Sequence, residues 1–577
     1  MTRLRAVLHD AWTLIRPYWF SEDRWAGRGL LLVVVVLNLF LVYINVLLSQ
    51  WYNLFYNSLQ DKDVAAFGRL LLRFSWLAAL YIVAAVYQIY LNQMLQIRWR
   101  RWLTERYLGA WLADGAYYRM QLTAGDTDNP DQRISEDLRL FVTGALTLGI
   151  GGMRAVVTLL SFLGILWGLS GSVTLPIGGG LTVPGYMVWA ALAYAVAGTW
   201  LTNVIGRPLV RLNFNQQRYE ADFRFGLVRF RENTEGVALY GGEADELRNF
   251  RERFGAVVRN WWDIMRRQKR LTWFTAGYAQ AAVIFPILVA APRYFRGEMP
   301  LGGLMQTAQA FGQVQDSLSF IITSYTDIAE WRAVVLRLLG FEHALARVRA
   351  EAAAEGVRHH VDAAGGVRLD RVQLTLPGGR PLLEDVSFDI RPGDTALISG
   401  PSGAGKSTLF RAIAGIWPFG RGEVRRPHDG RVLFLPQKPY LPIGTLREVV
   451  SYPTPPSGVS DGAIAEALRA VGLPELVGRL DEAAHWAQAL SPGEQQRIAF
   501  ARALIQKPAW LFLDEATSAV DEEAEAALYG LLRQRLPATT VVSVGHRSTL
   551  RAFHARRLVV TPNGTGPATV VEAAAGA

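Results

Sequence analysis

A polytopic α-helical membrane domain of six spans, followed by an α/β domain built around a P-loop, is the fold that the sequence predicts. Three observations carry it. Six apolar stretches, each about 20 residues long and so able to cross a hydrocarbon core of roughly 30 Å, precede residue 340. A G-x-x-x-x-G-K-[ST] match occupies Gly400–Ser407, and short β-rich runs alternate with helical ones from Val367 onward. At 577 residues, 51 % hydrophobic and 11 % aromatic, the chain is too long and too apolar for one soluble domain. It has no cysteine, which excludes disulfides and thiolate metal sites, and only eight histidines remain for metal chemistry.

Residues 1–28 read as a cytoplasmic segment with an elbow helix, and 29–340 as the membrane domain, with spans near 29–49, 70–95, 155–172, 183–205, 273–292 and 301–325. Each span is helical because lipid offers the backbone no other hydrogen-bond partner. The first apolar run is too long for a signal peptide, and no small-residue cleavage site follows it. A net charge of +10 would suggest nucleic acid, but the arginines follow topology instead. Arg3, Arg5, Arg16, Arg24 and Arg28 precede span one, seven lie from Arg98 to Arg139, and a denser set runs from Arg207 to Arg270. The intervening loops carry only Lys62, Arg69, Arg293 and Arg296. The positive-inside bias puts both termini in the cytoplasm and makes the lipid bilayer, not nucleic acid, the large partner. The two long interior loops, 96–140 ("DNPDQRISEDLRLF") and 206–272 ("RENTEGVALYGGEADE"), read as helical extensions reaching into the cytoplasm.

A linker is expected over 341–366, a nucleotide-binding domain over 367–560 and a weak strand with a loose tail over 561–577. The strands "TALISG", "RVLFLP", "WLFLDE" and "TTVVSVGH" argue for a largely parallel sheet. In "GPSGAGKST", Gly400, Pro401, Ser402, Gly403, Ala404 and Gly405 form a loop whose backbone N–H groups can wrap the phosphates of ATP. Lys406 neutralises β/γ oxygens, and Ser407, with Thr408 beside it at the helix start, can ligate Mg2+. Asp514 ends a buried strand where it can hold Mg2+, and Glu515 follows where it can polarise an attacking water. His546 follows the next strand and can contact the γ-phosphate; Gln437 offers an amide to Mg2+ or water. Taken singly, each of these residues also has an ordinary structural explanation, as a solvated cap or a core histidine.

In "LSPGEQQRIAFARAL", Ser491 to Glu494 fit a capping box with Pro492 at the first helical position. Such a helix start aims unpaired N–H groups at an anion. The order P-loop, Gln437, this motif, Asp514-Glu515 and His546 resembles the ATP-binding-cassette (ABC) ATPases, with "LSPGE" in place of their "LSGGQ" and Ser518–Asp521 as the D-loop. The resemblance implies a homodimer with an exporter-like arrangement of spans, in which Ser491 and Gly493 of one copy, with Asp521, close over ATP on the P-loop of the other. "AIAGIWPFGRGEVRRP", "FLPQKPYLPIGTLREVVSYP" and "ALYGG" look like the peroxisomal subfamily D half-transporters, and "NPDQRISED" is similar to the SbmA/BacA peptide-uptake permeases. Together these resemble bacterial fusion transporters that join such a permease to a cassette, mycobacterial hydrophilic-solute importers among them. That likeness implies the bacterial inner membrane, import, and coupling helices in the two long loops. Pro492 and Glu494 depart from the signature, and Leu374, Thr375 and Leu376 stand where an adenine-stacking aromatic is usual.

Polar residues recur along span six at helical spacing: Gln306, Gln309, Gln313, Asp316, Ser317, Ser324 and Asp327. Gln88 and Asn92 on span two, and Asn38, Asn45 and Ser49 on span one, form shorter stripes. Such faces turn to a cavity or bond helix to helix. The cavity reading suits a peptide or other hydrophilic solute, since an acyl chain gains nothing from amides. Fatty acyl-CoA or lipid cargo, or export, is the alternative for a transporter. A membrane-anchored regulatory ATPase is the alternative of another class, and the six spans disfavour a nucleic-acid cassette.

Overall fold

The structure is a computed structural model, and it describes residues 2–123, 129–175, 181–353, 356–361, 365–427, 432–564 and 566–573. The chain forms two compact units, Met1–Leu108 with Asn129–Phe341, and Gly109–Asp128 with Glu342–Ala577.

The first unit is helical. After α1 (Thr2–Trp19) come α2 (Arg24–Gln60) and α3 (Val64–Leu112), which ends at a 3-10 turn; α4 (Ala116–Thr123) follows and belongs to the second unit. One turn, α5 (Pro130–Gln132), leads through a π-helical segment, Arg133–Asp137, into α6 (Leu138–Ser170). A hairpin, β1 (Ser172–Leu175) with β2 (Leu181–Pro184), precedes α7 (Tyr186–Glu232), α8 (Thr234–Tyr240), α9 (Glu243–Phe295), α10 (Leu301–Thr323) and α11 (Tyr325–Ala353). Asp137, 1 % exposed, accepts from Arg133 at 2.7 Å and Arg337 at 2.6 Å, tying the start of α6 to α11.

Among the described residues, five helices are long and apolar enough to cross a membrane, and they carry α2, α3, α6, α7 and α9. The sixth expected span is α10, a helix of 23 residues that is not among those five, its glutamines interrupting the apolar run. Its apolar side is covered. Ala310, Phe311 and Val314 have no exposed surface and pack with Phe162 and Leu166 of α6, Met187 and Ala191 of α7 and Ala290 of α9. The third expected span is longer than the 155–172 window, because its helix already begins at Leu138.

Among its described residues the second unit holds a six-stranded sheet, a four-stranded sheet and a two-stranded pair. Six strands run in the order β14-β13-β6-β12-β11-β8: β14 (Thr569–Ala573), β13 (Arg556–Thr561), β6 (Thr395–Ser399), β12 (Thr540–Val544), β11 (Trp510–Asp514) and β8 (Val432–Leu435). All neighbours are parallel except β13 and β14. β6 and β11 are near-continuous apolar runs because both faces of a parallel sheet are covered. A four-stranded sheet orders β3 (Val357–Val361), β7 (Gly420–Arg426), β4 (Val367–Thr375) and β5 (Pro381–Ile390), and a two-residue pair joins β9 (Gly444–Thr445) to β10 (Ala483–Ala484). The helices are α12 (Lys406–Ile413), α13 (Leu446–Ser451), α14 (Asp461–Ala470), α15 (Trp486–Ala489), α16 (Pro492–Gln506) and α17 (Glu522–Arg535). Leu122 of α4 packs against the core that contains Leu374, Phe410 and Phe512.

One boundary differs from expectation: the 341–366 segment is not all linker, because Val357–Val361 adds a strand to β7. The strand expected within 561–577 is Thr569–Ala573, which pairs with β13 from Arg557 to Thr561. Both are edge strands, where one side of the backbone pairs and polar side chains are tolerated.

Candidate active site

Sheet order collects the motif residues at one edge. β6, β12, β11 and β8 are adjacent and parallel, so the P-loop, His546, Asp514-Glu515 and Gln437 all follow the carboxyl ends of neighbouring strands. The loop after β6 needs glycine: φ is 150° at Gly400, 77° at Gly403 and 98° at Gly405, and a Cβ at Gly400 would lie 2.5 Å from the Val560 carbonyl oxygen. Lys406, only 7 % exposed, donates from Nζ to the carbonyls of Gly400 at 2.9 Å and Pro401 at 2.8 Å. Its ammonium is thereby held inside the curve of Pro401, Ser402, Gly403 and Ala404, while Ser407 and Thr408 open α12.

The Ser407 hydroxyl donates to Asp514 Oδ1 at 3.2 Å. Burial pushes the Asp514 carboxyl above its usual range, the Ser407 bond opposes this, and nearby Glu515 adds to it. A buried carboxylate of this kind beside a hydroxyl fits a divalent cation, which would remove the penalty on its charged form. Glu515 has a left-handed backbone, φ 47°, with its N–H bonded to Val544 O at 3.0 Å. That conformation is costly for a non-glycine residue and is typical of functional positions. It places the carboxylate between two other candidate site residues: Gln437 Nε2 donates to Oε2 at 3.0 Å, and His546 Nδ1 lies 3.7 Å from Oε1.

The signature motif caps its own helix. Ser491 donates to Glu494 Oε2 from both N–H and Oγ, each at 2.7 Å, and Glu494 N–H returns a bond to Ser491 Oγ at 3.3 Å. These bonds hold the Glu494 carboxyl below its usual range. The substitution of Glu for the usual Gln therefore completes a capping box. Pro492 sits where no donor is required. Gly493 lies against the D-loop, since a Cβ there would stand 3.1 Å from Ala519 O, and Asp521 caps α17 by accepting from Ala524 N–H at 2.7 Å. Leu374 is fully buried and Leu376 half-buried, so neither offers the ring that would stack on adenine.

Sequence reasoning passed over two positioning groups. Gln496, 2 % exposed on α16, donates from Nε2 to Gln437 O at 3.0 Å and Ser518 Oγ at 3.1 Å, and accepts from Ala519 N–H at 2.9 Å. One amide thus joins the Gln437 loop, the signature helix and the D-loop. Glu525, 1 % exposed, accepts from Thr517 at 2.7 Å, Thr549 at 2.5 Å and Arg547 at 3.4 Å, while Arg547 also donates to Val520 O at 2.9 Å. This joins the segment after His546 to the D-loop. The available signal was a polar residue on the inward side of an amphipathic helix. For Gln496→Leu, ATP binding is expected to survive while kcat falls about a hundredfold, as for a misplaced reacting group. Equilibrium nucleotide binding measured beside steady-state ATPase checks this, and an unchanged kcat contradicts it.

The span-six stripe is divided. Gln306, 6 % exposed, accepts from Asn53 Nδ2 at 2.7 Å and donates to Ser49 Oγ at 3.4 Å, so it bonds α10 to α2 and does not line a free wall. Asn38 donates to Val34 O within its own helix at 2.8 Å. Gln309 Oε1 and Asn92 Oδ1 are buried and meet no donor. Gln313, Asn45 and Gln88 are half-buried, and Asp316 is exposed. α10 packs on α2, α6, α7 and α9, so the stripes of α2 and α10 meet, whereas Gln88 and Asn92 stand on α3, outside that set.

Two family descriptions match the chain: ABC transporter transmembrane region 2 over residues 14–295, and ABC transporter over residues 383–518. The inner membrane ABC transporter ATP-binding protein YddA of Escherichia coli is 34 % identical over 94 % of this chain and 96 % of its own. The chain belongs to the ABC transporters. It is an ATP-driven membrane transporter with one membrane region and one cassette, and it binds and hydrolyses ATP. Subfamily D members are among the relatives of this ABC transporter: human lysosomal cobalamin transporter ABCD4 is 29 % identical over 93 % of this chain and 91 % of its own. A bacterial Atm1-family ABC exporter with ATP bound shares the fold, with a TM-score of 0.69 at 20 % identity over 94 % of each chain.

Proposed function

We propose that this ABC transporter is a homodimer that imports a hydrophilic solute, a peptide or a compound of comparable polarity, with both termini and the cassette in the cytoplasm. The observation that carries the cargo class is Gln309 on α10, a side chain with a buried oxygen that meets no donor, in line with Gln313 and Asp316. A buried acceptor without a donor costs about 1–3 kcal/mol, and a polar solute can relieve it whereas an acyl chain cannot. The human relative named as a cobalamin transporter favours the same class. Peptide cargo is the narrower form suggested by the SbmA/BacA likeness of "NPDQRISED".

In the proposed cycle ATP lies on the P-loop of one copy, held by backbone N–H groups from Gly400 to Gly405 and by Lys406. Ser491 and Gly493 of the second copy close over it from the start of α16. Ser407 and Asp514 would hold Mg2+, with the Gln437 amide beside them, and the ion would neutralise phosphate charge. Glu515 orients the attacking water and accepts its proton toward Oε1, the oxygen facing His546; Gln437 fixes the other oxygen. Because Gln496 ties Gln437 to the D-loop, movement at one reaches the other. α4 and α8 are the proposed coupling helices.

The cargo reading is tested by Gln309→Leu and Gln313→Leu in liposomes. Flux of a hydrophilic substrate is expected to fall while basal ATPase survives. Unchanged flux, or ATPase stimulated by acyl-CoA alone, overturns this reading.

A further inference from the structure

We infer that the junction of α1 and α2 is a binding site for the phosphate headgroup of an anionic phospholipid. The nucleotide chemistry leaves this region unused, and three observations meet there. First, α1 has an inner and an outer side. Ala11, Leu14 and Tyr18 are 2 %, 3 % and 0 % exposed, whereas Trp12, Arg16 and Phe20, spaced four residues apart, all face outward, with Trp12 at 53 % and Phe20 at 60 %. A helix with an aromatic and basic outer side lies at the boundary between lipid and water.

Second, three guanidiniums gather on two exposed rings. Arg16 and Arg28 lie 5.6 and 5.1 Å from the centre of Phe20, and Arg24 and Arg28 lie 6.0 and 5.8 Å from the centre of Trp25. A ring engages the face of a guanidinium and leaves the in-plane N–H donors to other partners, and those of Arg16 and Arg24 can match phosphate oxygens two at a time. No carboxylate forms an ion pair with Arg16, Arg24 or Arg28 among the described residues. Arg28 is fixed by donating to Trp19 O from Nε at 3.0 Å and Nη2 at 2.7 Å. The intervening turn carries two carboxylates. Asp23 is held by Arg98 at 2.6 Å and by the Tyr18 hydroxyl at 3.2 Å, which leaves Glu22 against three cations.

Third, the cluster is rigid and stands at the right level. Tyr18 stacks on Trp99 at 5.5 Å, and a Cβ at Gly27 would meet the Tyr18 ring at 2.8–3.0 Å, so α1 is seated closely on α2 and α3. The uncharged apolar run of α2 starts at Gly29, immediately after Arg28. The guanidiniums therefore stand where headgroup phosphates begin, whichever side of the membrane this end occupies. A zwitterionic headgroup presents a phosphate too, but its own cation competes with the arginines for it.

Delipidated full-length protein in neutral detergent is titrated with phosphatidylglycerol and with phosphatidylcholine, and bound lipid is read by native mass spectrometry. The test variant is Arg16→Gln/Arg24→Gln, which leaves the Arg28 bonds to Trp19 intact. Its affinity for phosphatidylglycerol is expected to fall on the order of thirtyfold, with phosphatidylcholine unchanged. The Arg16→Lys/Arg24→Lys protein should recover most of the loss, and unchanged basal ATPase of both variants in detergent reports that they fold. Equal phosphatidylglycerol affinity in wild type and the Gln variant overturns the assignment. So does competition by inorganic phosphate as strong as by phosphatidylglycerol, since the site would then take a soluble anion.

Discussion

Glu515→Gln is expected to bind ATP as the wild type does and to turn it over roughly a thousandfold more slowly. The change keeps shape and removes the negative charge proposed to orient and deprotonate water. Everything around Glu515 serves its direction: a left-handed backbone at φ 47°, an anchored N–H, Gln437 at 3.0 Å on one oxygen and His546 at 3.7 Å from the other. None of these groups is a P-loop residue, so nucleotide affinity should not change. Binding and hydrolysis measured on the same preparation separate the two effects, and a variant trapped as an ATP-dependent dimer is the further expected sign. Near-normal turnover would show that another residue positions the water.

Lys406→Ala should fail at the earlier step, with ATP affinity lower by about a hundredfold, the scale of a lost charge-assisted bond in a buried site. The side chain is 7 % exposed and its ammonium bridges Gly400 O and Pro401 O, so the change removes both the proposed phosphate partner and the brace that holds the loop. The same variant tests the dimer. Mixed with Ser491→Ala chains, it should form mixed dimers in which one of the two composite sites is intact and occupied. Ser491 also caps α16, and losing that cap costs about 1 kcal/mol, so thermal unfolding is followed in parallel. A monomer that hydrolyses ATP at full rate contradicts the arrangement.

The residues of the proposed nucleotide site stand out in the sequence because the chemistry proposed for them depends on fixed spacings: Gly400 to Ser407 in one loop, and Asp514-Glu515 at the end of an apolar strand. The capping role of Glu494 was legible for the same reason. What escaped was set by tertiary pairing. β3, "VRHHV", has no apolar alternation, and becomes a strand only because β7 lies beside it. Gln496 in "EQQR" looks like any helical glutamine until β8 and the D-loop are placed against α16. On α10 the periodicity found the polar stripe but could not say which side chains face a neighbour: Gln306 meets Asn53, one turn farther along α2 than Ser49, the last residue of the expected stripe.

The central claim is that ATP hydrolysis at this site moves a hydrophilic solute. It is tested most directly by flux in liposomes that contain wild type or Glu515→Gln protein, with ATP on the cassette side and labelled peptides, a corrinoid and an acyl-CoA offered in turn. ATP-dependent movement of a peptide or the corrinoid is expected from the wild type, with loss of that movement in Glu515→Gln and none for the acyl-CoA. Movement of the acyl-CoA alone, or hydrophilic flux that persists in Glu515→Gln, would contradict it.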